Sequence, residues 1–259
     1  MNIKKGAHSM NYIVLDLEFN QPFHFKTGFQ TTLHPDCPFE IIQIGAVKLN
    51  KEFAVLDKFN ILIKPVIYPR IHPYVEKITN LTYEQLKNGT KFTKAYHSFI
   101  KFIGKEDAIF CTWGNDDIKS LFKNILFYNL DATKICNQFI NVQKLASKYL
   151  KYEPGQAIGL KNAITELNLK IEQPFHDALN DAIYTAKVFQ IVCPKECKTE
   201  ICQISELSSK KSFLYMKGLV EYFEKTLDRK LTTEEKIIIK KAYKFGKANA
   251  FDIPRKTNL

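Results

Sequence analysis

Hydrophobic residues in this chain repeat at one period near its start and at another thereafter, and few folds accommodate both. Residues 12–15, 41–49 and 55–63 are rich in β-branched and aromatic side chains, and Asn50-Lys51 sits between the last two like a short turn, so three strands open the fold. From residue 93 the pattern changes. Helical spacing over 93–103 is followed by an apolar strand at 108–113, then by a helix at 116–127 with Ile118, Leu121, Phe122 and Ile125 on one face. A short fifth strand at 139–142 and helices at 142–150, 160–167 and 178–192 complete the run. A meander of strands that gives way to alternating strands and helices is the pattern of an α/β domain, with a mixed central sheet flanked by helices. Residues 20–39 contain Pro22, Gly28, Pro35 and Pro38 and are read as a loop. Loops that long inside a compact domain are usually functional or mobile. Phe23, Phe25 and Phe29, interleaved with His24 and Lys26, would either contact nucleic acid or hold the loop down.

The domain is expected over residues 10–194. Residues 1–9 have no periodic pattern and precede a second methionine, Met10; they are set aside as an extension or a remnant of expression cloning. After residue 194 the sequence turns to Lys, Glu, Ser and Cys, which reads as a linker over 195–211. Two amphipathic helices then form an extension at 212–259, and Thr232 with Glu235 makes a capping box that opens the second. Ile238, Ala242 and Phe245 on that helix suit burial, whereas Lys236, Lys240, Lys244 and Lys247 form a basic stripe.

Charge favours an anionic partner. The chain carries 38 basic and 27 acidic residues, a net +11, and 13 of the basic against 6 of the acidic residues fall from Lys210 onward. No apolar run approaches a membrane span. Six cysteines are too few for a disulfide scaffold, and Cys193, Cys197 and Cys202 lack the close pairing of a zinc site, so they read as thiols of a cytoplasmic protein.

Chemistry gathers at five positions. Asp16 and Glu18 end the first strand, where alternation puts both on one face about 7 Å apart at the backbone. A lone Asp-x-Glu is equally a polar strand end. Asp117 follows the strand at 108–113, where α/β sheets present ligand groups; it shares the inward side of Leu121, while Asp116 suits the outward-facing cap of the helix. Asp181 lies one turn into the last helix, with His176 in the loop before it. Four carboxylates and an imidazole brought together suit two hard cations, Mg²⁺ or Mn²⁺, in phosphoryl chemistry, with a neutral histidine as the base.

These motifs resemble those of the DEDD exonuclease superfamily in its histidine variant, built on the ribonuclease H-like fold. The likeness rests on Asp16-Leu17-Glu18-Phe19, on Trp113-Gly114-Asn115-Asp116-Asp117 with Leu121, and on His176-Asp177-Ala178 with Asp181-Ala182. The connecting stretches 40–47, 64–82 and 159 onward agree with it. The tyrosine variant would place Tyr where Asp177 stands. Within the superfamily the chain is most similar to the branch holding the histone-mRNA and small-RNA-trimming exonucleases and the KapD-like sporulation inhibitors.

The resemblance implies a metal-dependent 3′-to-5′ exonuclease acting on single-stranded 3′ ends, RNA favoured over DNA, and releasing nucleoside 5′-monophosphates. It implies two ions held by Asp16, Glu18, Asp117 and Asp181, with His176 as general base. Phe19 and Asn20 are implied to meet the 3′-terminal nucleotide, and Trp113 either stacks on a base or packs at its strand end. The alternatives are a DNA exonuclease of proofreading or repair type, and a KapD-like regulator that binds without cutting. All five catalytic positions are intact, which disfavours the regulator.

Overall fold

The computed structural model describes residues 10–22, 33–193, 197–208 and 216–247. They fall into two compact units, Met1–Lys210 and Lys211–Leu259. Residues 1–9 and 23–32 lie outside the described residues, and with them the expected contacts of Phe23, His24, Phe25, Lys26 and Phe29.

The first unit runs β1 (Met10–Asn20), β2 (Glu40–Leu49), β3 (Val55–Leu62), α1 (Pro73–Thr79), α2 (Tyr83–Lys87), α3 (Phe92–Ile103), β4 (Asp107–Thr112), α4 (Asp116–Phe127), β5 (Gln138–Asn141), α5 (Val142–Tyr149), α6 (Leu160–Glu166), α7 (Ala178–Val192), β6 (Glu200–Ile201) and α8 (Ile204–Ser208). One mixed six-stranded sheet, in the order β3-β2-β1-β4-β5-β6, organises it. β1, β4 and β5 run parallel, and β2, β3 and β6 pair antiparallel with their neighbours. This is a ribonuclease H-like exonuclease fold.

Alternation along β1 sorts its residues between two cores. Ile13, Leu15 and Leu17 join Phe99, Leu121, Phe122 and Ile125 from α3 and α4. Val14 instead joins Ala182, Val188 and Phe189 from α7, together with Ala146 of α5 and Ala163 of α6. Side chains two residues apart share a face, so Asp16 and Glu18 point to the α7 side. β1 continues past its apolar stretch to Asn20 because β2 pairs with it as far as Glu40, with one irregularity between Glu18 and Phe19.

Three sequence expectations need correction. Residues 195–211 are not simply a linker: β6 pairs with β5, Cys202 donates its N–H to the Asn137 carbonyl at 2.8 Å and is buried, and Ile204 and Leu207 pack on the first core. Two strand residues among charged neighbours carry no period, so pattern reading passes over them. Cys193 and Cys197 are joined in a disulfide rather than standing as free thiols. Finally, α1 and α2 occupy what had no helical assignment. They bring Val75 and Leu86 to a small third cluster with Ile42, Ile71 and Leu81.

The second unit contains α9 (Met216–Leu227) and α10 (Thr233–Lys247). The expected capping box is formed: Glu235 donates its N–H to Thr232 Oγ1 at 3.2 Å, and Thr232 donates its N–H to Glu235 Oε2 at 2.8 Å. Burial does not follow the expected stripe, since Ile238 is 63% exposed and Ala242 is exposed too. Among the described residues no helix is long and apolar enough to cross a membrane.

Candidate active site

Two strand-pairing facts set the geometry. Asp16 lies opposite Gly45 of β2, and Glu18 opposite Gln43. A Cβ at Gly45 would fall 2.1–2.2 Å from the Ala178 carbonyl group and the Leu179 nitrogen, so the start of α7 rests directly on the sheet there. No other residue type leaves that space. α7 therefore delivers Asp181, and the turn before it His176, to the face that Asp16 and Glu18 occupy.

Local structure orients the pair. His176 has φ 64°, a left-handed conformation uncommon for a side-chain-bearing residue. That conformation lets its N–H reach Asp181 Oδ2 at 3.0 Å, and Asp177 then caps α7 by accepting the Asn180 N–H at 3.0 Å. His176 itself is exposed, whereas Glu18 and Asp181 are buried.

Asp117 arrives from α4, beyond the end of β4. The turn between them is closed by Thr112 Oγ1 donating to the Gly114 carbonyl at 2.7 Å, with Gly114 at φ 94°, and by Asn141 donating to Asn115 Oδ1 at 2.7 Å. Asn115, not Asp116, occupies the cap position of α4, and its side chain makes no capping bond. Asp116 faces solvent in the first turn and Asp117 is buried. The backbone N–H of Leu17, between the two acids of β1, favours the charged form of Asp117.

Ligand atoms of Glu18, His176 and Asp181 all lie within 4.8 Å of one another. Asp16 and Asp117 stand outside that trio but feel it electrostatically. Burial, then the charges of Asp117, Asp181, Glu18 and Asp177, raises the Asp16 carboxyl well above its ordinary range. Burial, then Asp181, Asp117 and Asp177, pushes Glu18 up to about 8. Asp117 is pushed to about 8 by burial, then Asp116, despite the Leu17 N–H, which lowers it. Asp181 rises to about 6, mainly through burial. Like charges this close cannot all ionise unless a cation joins them.

A divalent metal fits what is present. The donors are oxygens and one imidazole, the acids repel one another in its absence, and Asp181 Oδ1 is buried with no hydrogen-bond partner.

The residues expected around the substrate fare differently. Asn20 is fully buried, and its amide is spent on backbone: Nδ2 donates to the Tyr68 and Arg70 carbonyls at 2.8 and 2.9 Å, and Oδ1 accepts from the His72 N–H at 2.9 Å. That side chain holds residues 68–72 in place and is not available to a nucleotide, contrary to expectation. Glu40 works beside it, receiving the N–H groups of Val66, Ile67 and Tyr68. Phe19 is half-buried near Phe39, with ring centroids 6.1 Å apart. Trp113 is half-buried against the second core, and its indole nitrogen is buried without a partner. In the second unit Lys236 lies 3.8 Å from Glu224, while Lys240 is exposed. The side chains of Lys244 and Lys247 lie outside the described residues.

Residues 13–189 match the profile of the Exonuclease (RNase_T) family. The chain is 24% identical over 182 residues to the probable 3′-5′ exonuclease KapD of Bacillus subtilis strain 168, covering 70% of this chain and 83% of KapD. It is 29% identical over 209 residues to the PolC-type DNA polymerase III of Thermotoga petrophila, covering 77% of this chain but only 14% of the polymerase. Among solved structures, the nuclease domain of 3′hExo, a DEDDh family member bound to rAMP, superposes with a TM-score of 0.60 at 19% identity, over 78% of this chain and 99% of that one. The Mg²⁺- and Mn²⁺-bound form of S. pombe Pop2p superposes with a TM-score of 0.53 at 16% identity, over 70% and 82%.

Proposed function

The chain belongs to the Exonuclease (RNase_T) family, and we propose that it is a metal-dependent 3′-to-5′ exonuclease that trims single-stranded 3′ ends, RNA in preference to DNA, and releases nucleoside 5′-monophosphates. The observation that carries this reading is the meeting of Glu18, His176 and Asp181 within 4.8 Å, beside Asp16 and Asp117.

In this reading Asp16, Glu18, Asp117 and Asp181 hold two ions, Mg²⁺ or Mn²⁺. Once bound, the pair supplies Lewis-acid polarisation of the scissile phosphate and of the attacking water. The protein's own part is positional and protonic. Asp181 keeps Oδ1 free for ligation while the His176 N–H occupies Oδ2. His176, exposed on its turn, accepts the proton from the attacking water at a ring nitrogen. Burial of Glu18 and Asp117 keeps bulk water from competing for their oxygens. Phe19 and Trp113 offer ring surface to the terminal bases, and the lysines at 236, 240, 244 and 247 add sequence-independent phosphate contacts.

Preference for RNA rests on the likeness to the 3′hExo nuclease domain, nearly all of which is matched and which was solved with rAMP. A DNA substrate is the second reading, favoured by the likeness to a PolC-type DNA polymerase III. Matched 5′-labelled RNA and DNA oligonucleotides with Mg²⁺, Mn²⁺ or EDTA decide between them. Stepwise shortening of RNA from the 3′ end, release of 5′-monophosphates and silence in EDTA are expected. Faster shortening of DNA would reverse the preference, and no shortening of either would overturn the proposal.

A further inference from the structure

Gln43 is buried in the apolar strand β2, 1% exposed, yet every polar atom of its amide is engaged. Nε2 donates to Asp177 Oδ2 at 2.8 Å and to Asn60 Oδ1 of β3 at 3.0 Å, and Oε1 accepts the Ala178 N–H at 3.2 Å. Both donors and an acceptor of the amide are thereby used on fixed partners. Two of the three belong to the residues that start α7.

The same residue is tied to the other side of the site through the backbone. Gln43 is the direct cross-strand partner of Glu18, and such partners point to the same face. A closed circuit results. Glu18 fixes Gln43 by strand register, Gln43 fixes Asp177 and Ala178 by its amide, and these directly follow His176 and begin α7, which carries Asp181. Glu18, His176 and Asp181 in turn stand within 4.8 Å of one another. Gly45, two residues further along β2, removes the Cβ that would hold α7 off the sheet.

The amide is also suited by its charge. Asp177 is one more carboxylate beside the cluster, and it contributes to raising Asp16, Glu18 and Asp181. Something must hold that carboxylate in place. A lysine or arginine there would supply a fixed positive charge in competition with the divalent ions. An ionised glutamate would have no proton to donate to Asp177 and would add a further charge beside the acids. A neutral amide donates to Asp177, accepts from Ala178 and leaves the field of the acids to the metal.

We propose that Gln43 is a positioning residue of the nuclease centre, setting the distance from Glu18 to the His176–Asp181 pair through its bonds to Asp177 and Ala178. This rests on the reading of the site as a metal-holding nuclease centre. Groups that orient metal ligands from behind typically cost about 10–100-fold in affinity or activity when removed.

The test uses the full chain and compares Gln43→Met, which keeps length and loses all three bonds, with Gln43→Glu, which keeps shape and reverses the donor. Expected for both are a fall in kcat of about 10–100-fold with the oligonucleotide KM within about twofold, and a several-fold higher Mn²⁺ concentration at the midpoint of a thermal-shift titration made without substrate. In metal-free Gln43→Met, hydrogen exchange at the amides of Ala178 and Asn180 should accelerate, whereas Gln43→Glu keeps an acceptor for the Ala178 N–H. Combined with Asp177→Asn, Gln43→Met should add little further loss of kcat, because both act on one link. Variants that fold, exchange like wild type at Ala178 and keep the Mn²⁺ midpoint and kcat would overturn the proposal. If one variant does not fold, the other carries the same comparison, and Asn60→Ala weakens the amide's anchorage without touching α7. An inactive wild type that still binds Mn²⁺ would count against the proposed function, while the exchange and Mn²⁺ readouts would still decide the role of Gln43.

Discussion

Replacing Glu18 with glutamine should make the metal-free protein more stable while destroying its activity, and the gain should depend on pH. Burial and the charges of Asp181, Asp117 and Asp177 push this carboxyl from an ordinary 4.5 to about 8. A raised acid folds best while protonated. Its contribution is therefore complete below about pH 4.5 and is lost as pH rises toward 8. Each tenfold change in the protonation equilibrium is about 1.4 kcal/mol, so ionisation at pH 8 withdraws on the order of 4 kcal/mol from the metal-free fold as an upper limit. Water entry and local relaxation reduce what is felt, and about 1–2 kcal/mol is expected for Glu18→Gln at pH 8. For a domain of this size that is about 2–8 °C in Tm. At pH 5 the wild-type carboxyl is still largely protonated in the fold, and the gain should shrink to well below 1 kcal/mol. Thermal melts of both proteins in EDTA at pH 5 and pH 8 measure the difference directly. Adding Mn²⁺ at pH 8 should then raise the wild-type Tm more than that of the variant. Equal melting of the two proteins at both pH values would refute the claim that the acids repel one another in the empty site.

Other substitutions separate the contributions. Asp16→Ala and Asp117→Asn should abolish hydrolysis in the oligonucleotide assay with the fold intact by circular dichroism, whereas His176→Ala should retain more activity, losing about 10²–10⁴-fold; wild-type turnover by His176→Ala would place the base elsewhere. Gly45→Ala should destabilise by about 1–3 kcal/mol in urea unfolding and reduce activity, because its methyl group would lie 2.1 Å from the Ala178 carbonyl carbon; an unperturbed protein would mean that α7 does not rest on β2 as described. Changing Lys240, Lys244 and Lys247 to Gln should weaken oligonucleotide binding and flatten its dependence on salt; an unchanged slope would assign these lysines to solvent.

Sequence pattern was sufficient wherever an element was long and periodic. α4 and α7 begin and end where spacing puts them, because Leu121 with Ile125, and Ala182 with Phe189, repeat over several turns. The acids were legible through their strand and helix positions, and Asp117 is buried on the side that Leu121 indicated. Shorter elements escaped. α1 and α2 span too few residues to show a period, although His72 before Pro73 and the Thr82–Gln85 capping box marked their starts. The resemblance carries Asn20 to the substrate because it follows the first motif, whereas its side chain bonds residues some fifty positions away, at Tyr68, Arg70 and His72, which no local pattern reveals. Gln43 left a fainter signal, a lone amide inside an apolar strand, whose meaning appears only when α7 is laid across it.

β6 has a consequence for how this protein tolerates shortening. The family profile ends at residue 189, and Asp16, Glu18, Asp117, His176 and Asp181 all precede that point, so a chain stopped there retains every group of the proposed centre. It would nonetheless present β5 with its outer backbone edge bare, having lost the pairing of Gln138 and Phe139 with Ile201 and Glu200 and the cover of Cys202 and α8. Bare strand edges recruit other chains. Competence for catalysis and resistance to self-association are thus encoded in different stretches of the same polypeptide. A premature stop between residues 192 and 200 is expected to yield precipitate rather than a sluggish enzyme, while a stop after Ser208 should leave a soluble nuclease.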